Sequence, residues 1–178
     1  MPDDVEQVRP DLCVFHAGKV VNNRTIRGSV TYTDASKQEV WQSYSETVLV
    51  FDGEPETVID LREPVTPEKR RELGLGQPFA VLTSFNPRGE NIAAEENARR
   101  FAQLEADLQL LGLEYVTLDG CSPDRQHCER SVAVKVDRSV ALGFARRWEQ
   151  LAIFWWDLER FWIYPALVVM EPLPLPRP

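Results

Sequence analysis

The chain predicts an α+β fold: a mixed β-sheet carrying two main amphipathic helices, with an added N-terminal β-hairpin. Three observations carry that expectation. Residues 79–112 run from a continuous apolar stretch through an Asn-Pro turn into a strongly amphipathic helix that ends at Gly112. Residues 138–151 repeat apolar side chains at helical spacing behind Asp137. On either side lie short alternating or aromatic runs bounded by turn residues, which read as strands.

Residues 1–11 are charged, flanked by proline and without period, and are expected to be disordered. Residues 12–21 and 25–33 read as two strands around Asn22-Asn23, a turn-favouring pair. They form a β extension, residues 12–40, on a core at residues 41–164. The two make one domain, and residues 165–178 are a Pro-rich extended tail. In the core, residues 41–51 read as a strand with Tyr44, Glu46, Val48 and Val50 on one face and Leu49 and Phe51 on the other. Asp52-Gly53-Glu54-Pro55 turns the chain, and residues 57–61 return as a strand. Thr66 caps a short helix with Pro67 at its first position, and Gly74 or Gly76 stops it.

Residues 79–85 (FAVLTSF) are apolar almost throughout, so this strand should be central and covered on both faces. Asn86-Pro87-Arg88-Gly89 breaks it. The long helix then spans residues 93–111, with a stripe of Phe101, Leu104, Leu108 and Leu111. Residues 113–118 form the next strand; joined to residues 79–85 through the helix, it could lie parallel to them in a βαβ unit. Residues 119–124 read as a loop. Residues 129–136 (ERSVAVKV) alternate, with Ser131, Ala133 and Lys135 on one face and Val132, Val134 and Val136 on the other. Asp137 caps the second helix, residues 138–151, whose stripe is Val140, Ala141, Phe144, Trp148 and Leu151. Residues 152–156 and 161–164 form an aromatic hairpin. Prolines in the tail alternate, so no two stand three apart and no PxxP ligand is spelled out.

At 178 residues and 43% hydrophobic, the chain can fold on a core of its own. A net charge of −8 disfavours nucleic acid and anionic membrane as partners. There is no apolar run long enough to span a bilayer, and the N-terminus does not read as a signal peptide. Three cysteines make no disulfide framework, so the expectation is a soluble cytoplasmic protein with reduced thiols.

One polar feature stands out. Asn97 precedes Phe101 by four residues, so it lies on the buried stripe near the Asn86 turn, where an amide must find a partner. With it go Thr83, Asn86, Glu129, Ser131, Arg147 and Gln150. Thr83 and Asn86 end a central strand beside a helix start, a favoured ligand position in open α/β sheets. In such a site Glu129 could act as base, Arg147 could hold an anion, and the amides could orient a small polar or anionic ligand. An Arg147 neighbour would keep Glu129 ionised and make it an acceptor more than an acid. The competing reading is a buried network that locks two helices onto the sheet.

These residues resemble a bacterial family catalogued as domain of unknown function 3293. Its pattern is a strand ending Thr-Ala-x-Asn-Pro, a helix opening Glu-Asn, a glycine loop, a Glu-x-Ser strand, and a helix ending Phe-Gly-Gln before an Ala-x-x-Trp strand. Here these stand as Thr83-Ser84-Phe85-Asn86-Pro87, Glu96-Asn97, Gly120, Glu129-Arg130-Ser131, and Trp148-Glu149-Gln150 ahead of Ala152 and Trp155. The resemblance runs over roughly residues 41–164. Ser84 replaces the pattern's Ala, and Trp148-Glu149 replaces its Phe-Gly. The resemblance implies no activity, substrate or cofactor.

Cys13 with His16, and Cys121 with His127 and Cys128, have the residue types of a zinc site, but the clusters lie in different segments, so neither a metal nor a cofactor is expected. Arg99-Arg100 and Arg146-Arg147 could bind phosphate; Glu95, Glu96, Glu105 and Glu149 are near enough to neutralise them. If residues 152–156 are a strand, Trp155 and Trp156 point to opposite faces and one is free for a partner. That sets a second function class beside ligand binding: an interaction or self-assembly module, homo-oligomer included, using the aromatic hairpin and the terminal extensions.

Overall fold

The structure, a computed structural model, describes residues 43–72 and 74–177. The expected N-terminal hairpin, residues 12–33, lies outside them. The α+β class holds. Strands β1 (Val48–Phe51), β2 (Thr57–Asp60), β3 (Phe79–Thr83), β4 (Tyr115–Cys121), β5 (Cys128–Val134), β6 (Ala152–Trp156), β7 (Phe161–Pro165) and β8 (Leu173–Leu175) form one eight-stranded sheet. Its order is β2-β1-β4-β5-β3-β6-β7-β8. Beside it lie helices α1 (Pro67–Glu72), α2 (Ala94–Leu110) and α3 (Arg138–Arg147).

The expected mixed sheet is corrected: each strand pairing among the described residues is antiparallel. β3 and β4 do run in the same direction, but β5 lies between them and pairs with both. In the same way β3 lies between β5 and β6. The core is therefore two interleaved split β-α-β units, β3-α2-β4 and β5-α3-β6, in the order of a ferredoxin-like sheet.

Alternation along the strands builds two cores. Ala80, Leu82, Val132, Val134, Ile153 and Trp155 face the helices, where Phe101, Leu104 and Leu108 of α2 meet Ala141, Phe144 and Ala145 of α3. Phe79, Val81, Leu118, Phe154 and Trp156 face the other way. There the sheet curls, and Leu49 and Ile59 from one edge share a cluster with Ile163 and Leu175 from the other. This inner face is why Trp155 and Trp156, though opposed, are both buried, which corrects the expectation of one free indole. α1 lies against the inner side: Thr66 Oγ1 caps it by accepting from Lys69 N (3.2 Å), and Arg70 donates to the carbonyls of Leu158 and Glu159 (both 2.9 Å).

Other boundaries moved for local reasons. Ser43–Ser45 are helical rather than extended; Tyr44 packs edge-on to Phe154 on the inner face and does not share a face with Val48. β4 runs on through Asp119, Gly120 and Cys121, where a loop was expected. The tail folds back as β8. A strand donates to one neighbour from every second residue, so prolines at alternate positions are compatible with an edge strand. Leu111 lies just past α2 and is 52% exposed, off the stripe.

The two long helices end alike. In α2, Leu113 N donates to Leu108 O (3.0 Å) and Gly112 N to Gln109 O (3.0 Å), with Gly112 at φ 66°. In α3, Gln150 N donates to Ala145 O (2.7 Å) and Glu149 N to Arg146 O (3.2 Å), with Glu149 at φ 58°. Both are Schellman motifs, which favour glycine at the left-handed residue. Glu149 occupies that position without one, so α3 stops at Arg147 where its pattern suggested Leu151. The carboxylate of Glu149 pairs with Arg88 (2.5 Å).

Two predictions follow from these contacts. Gly112→Ala is expected to destabilise by about 1 kcal/mol. Glu149→Gly is expected to stay within about 1 kcal/mol of wild type, because relief at the left-handed residue offsets a surface ion pair. Urea unfolding of both variants checks this. The second concerns pH. Asp52 accepts from Arg130 and from Thr117 Oγ1 (2.5 Å), and these bonds hold its carboxyl below the usual range. A depressed carboxylate contributes stability above its unfolded pKa and loses it as pH falls through the folded one. The stability gap between wild type and Asp52→Asn should therefore narrow on acidification below the ordinary aspartate range, as read by urea unfolding at stepped pH.

Candidate functional site

One end of the sheet collects the polar residues. The end of β3, the end of β4 and the starts of β5 and β6 meet there, because β5 and β6 run antiparallel to β3. The N-terminus of α2 and the C-terminus of α3 close over it.

At its centre is a reciprocal amide pair. Asn86 N donates to Asn97 Oδ1 (2.8 Å), and Asn97 Nδ2 donates to Asn86 Oδ1 (2.9 Å), which also accepts from Ile92 N (3.3 Å). Both asparagines are buried. Asn86 sits at φ 44°, a left-handed conformation that asparagine tolerates better than most residues, before the single 3-10 turn Pro87–Gly89. Its remaining donor, Nδ2, reaches Glu129 Oε1 (2.7 Å). The backbone donors fix both amide orientations, so a carboxylate is the partner that fits Nδ2.

Thr83 Oγ1 donates to Arg130 O (2.8 Å) and accepts from Phe85 N (3.0 Å). Ser131 Oγ donates to Glu129 O (3.1 Å). Gln150 Nε2 donates to Phe85 O (2.8 Å) and Trp148 O (3.3 Å). Arg147 is not part of the set: it pairs with Asp107 on α2 (3.0 Å) and stacks near Trp148, its side chain 60% exposed. The expected Glu129–Arg147 contact is thereby corrected; at the edge of its stripe, Arg147 turns outward to a carboxylate of the neighbouring helix. The arginine that joins the layers is Arg100, donating to Ser84 O and Trp148 O (both 2.8 Å) over the Trp148 ring. It lies three residues after Asn97, a spacing that could have found it.

Thr83, Glu129, Ser131 and Gln150 line a cavity of about 310 Å³ on the inner face, floored by Leu49, Val81, Ala152 and Phe154. Gly120, opposite Glu129 across the β4–β5 ladder, also lines it; a Cβ there would lie 3.9 Å from Ser131 Oγ. His127 reaches within 3.5 Å of Glu129 Oε1. It stands two residues before Glu129, in the bend that leads into β5.

The comparisons with known proteins bear on this end of the molecule. Residues 82–153 match the family described as "Protein of unknown function (DUF3293)". The resemblance is shown for that segment, narrower than the expected 41–164, and it holds α2, α3, β4, β5 and all seven site residues. No curated protein and no solved structure matches the chain. Both departures from the family pattern have a place in the geometry. The pattern's glycine suits the left-handed position held by Glu149. Its alanine suits position 84, where Ser84 is fully buried and its Oγ has no partner among the described residues.

The cysteines correct another expectation. Cys121 and Cys128 face each other across the β4–β5 ladder and form a disulfide, their Cα atoms 4.1 Å apart, where reduced thiols were expected. Cys13 and His16 lie outside the described residues, among which no group of three or more His, Cys, Asp or Glu could hold a metal ion. No helix among them is long and apolar enough to cross a membrane. The arginine pairs are engaged: Arg99 with Glu96 (2.6 Å), Arg146 with Ala166 O (3.2 Å), Arg100 and Arg147 as above.

Paired substitutions separate satisfied from unsatisfied buried groups here. Ser84→Ala should keep or raise stability, by up to about 1 kcal/mol, since the lost hydroxyl has no partner. Asn97→Ala should cost about 2–4 kcal/mol, since it strands the buried Asn86 N and leaves Asn86 Oδ1 with Ile92 N alone. Chemical denaturation reads both.

Proposed function

We propose that the protein binds a small polar molecule in the inner-face cavity, at the carboxylate of Glu129 with Ser131 and Gln150 beside it. One observation carries this reading. Glu129 is anchored through Oε1 by Asn86, while its Oε2 has no partner among the described residues and the residue lines the cavity. A purely structural carboxylate in a network as saturated as that of Asn86 and Asn97 would be expected to use both oxygens. At about 310 Å³ the cavity is at the lower end of the range for small-molecule sites, with an apolar floor and a few convergent polar groups. An anionic ligand loses the support it drew from Arg147, which stands elsewhere. The alternative of assembly through the aromatic hairpin draws no support from Trp155 or Trp156, both buried.

Glu129→Gln tests the proposal, because glutamine retains an oxygen to accept from Asn86. Its stability by urea unfolding should fall by no more than about 1 kcal/mol. In a thermal-shift screen of small polar metabolites, compounds that stabilise wild type should stabilise the variant markedly less. A large stability loss with ligand-induced shifts intact would make Glu129 a structural residue and end the proposal.

A further inference from the structure

We infer that the ligand of this cavity carries a nitrogen cation, an ammonium or guanidinium group, bound to Glu129. The inference rests on the binding reading above and adds the chemical class.

It comes from counting donors and acceptors along the wall. Gln150 commits both amide hydrogens to Phe85 O and Trp148 O, and those two carbonyls settle which end of the amide is nitrogen. Its Oε1 is left to accept. Ser131 commits its hydroxyl hydrogen to Glu129 O and retains lone pairs. Thr83 both donates and accepts within the protein. Ser122 Oγ donates to Asp124 (2.6 Å), and Thr47 Oγ1 donates to Ser43 O (3.4 Å). The valences of Glu129, Gln150 and Ser131 that remain are all acceptors. A ligand that satisfies them must bring donors.

Charge points the same way. Among the described residues, Glu129 is the one Asp, Glu, Lys or Arg side chain on the lining. His127, the other ionisable group facing it besides Tyr44, is 63% exposed in its side chain and sits 3.5 Å from the oxygen that Asn86 already occupies. A carboxylate or phosphate in this cavity would face Glu129 with no cation but a protonated His127 to offset it. An ammonium or guanidinium would make charge-assisted bonds to the free oxygen. The chain's net charge of −8 favours the approach of a cation over long range.

The test uses the full chain, labelled with ¹⁵N, titrated at constant ionic strength with n-propylammonium, n-propylguanidinium, propionamide and propionate. Saturable shifts at the amides of Ser131 and Gln150 are expected with the two cations. Glu129→Gln should weaken them about tenfold or more, through loss of the charge-assisted bond. Ser131→Ala, which leaves the Asn86–Glu129 contact in place, should weaken cation binding by a smaller factor. Equal or tighter binding of propionate or propionamide at the same amides overturns the cation class and leaves the binding site standing. So does cation affinity unchanged in both variants. If none of the four probes perturbs Ser131 or Gln150, the binding site falls as well.

Discussion

The reciprocal amide pair of Asn86 and Asn97 is the constraint on which the rest depends. It ties the turn that follows β3 to the first turns of α2. It also leaves Asn86 with one free donor, which positions Glu129 on a different strand. Three elements distant in sequence are thus held by two side chains, each with its hydrogen-bonding capacity largely used within the protein. An asparagine suits position 86 on two grounds, since it tolerates the left-handed backbone and carries an amide able to close the ring.

What was legible in the sequence is what periodicity reports. Asn97 could be placed on the buried stripe by counting four back from Phe101, and the faces of β5 followed from alternation. Gly112 marked the end of α2 because its terminal motif uses glycine. The end of α3 was hidden because Glu149 does the same task without that signal. Strand neighbours were not legible: nothing in residues 79–85 or 113–118 says that β5 will slip between them. The cysteine pair depended on the same unseen register, since only direct opposition of Cys121 and Cys128 brings them together. Arg147 was misplaced because a stripe edge can turn to either neighbour, and Asp107 on α2 decided which.

The cavity exists because the sheet is lined differently at its two ends. Toward α1 the inner face is filled by Phe79, Trp156 and Phe161, with Phe79 edge-on to Phe161 and Trp156 tilted against it. Toward the Asn86 turn the corresponding positions are Thr83, Ser131 and Gly120, all small. Small residues in the ladder leave room, and the polar ones leave acceptors. The same strands that build a packed core at one end therefore build a receptive surface at the other.

The interleaving of the two split units has a kinetic and mechanical consequence. Each unit lends its first strand to the middle of the other, so neither contains a complete sheet of its own. β3 finds its partners only in β5 and β6, which are made much later along the chain. Closing those loops precedes any gain from pairing, which raises contact order and slows folding. During synthesis β3 therefore leaves the ribosome as an apolar strand without partners and waits for the C-terminal half. Once assembled, the halves have no seam along which to separate, and the domain should open as one cooperative unit.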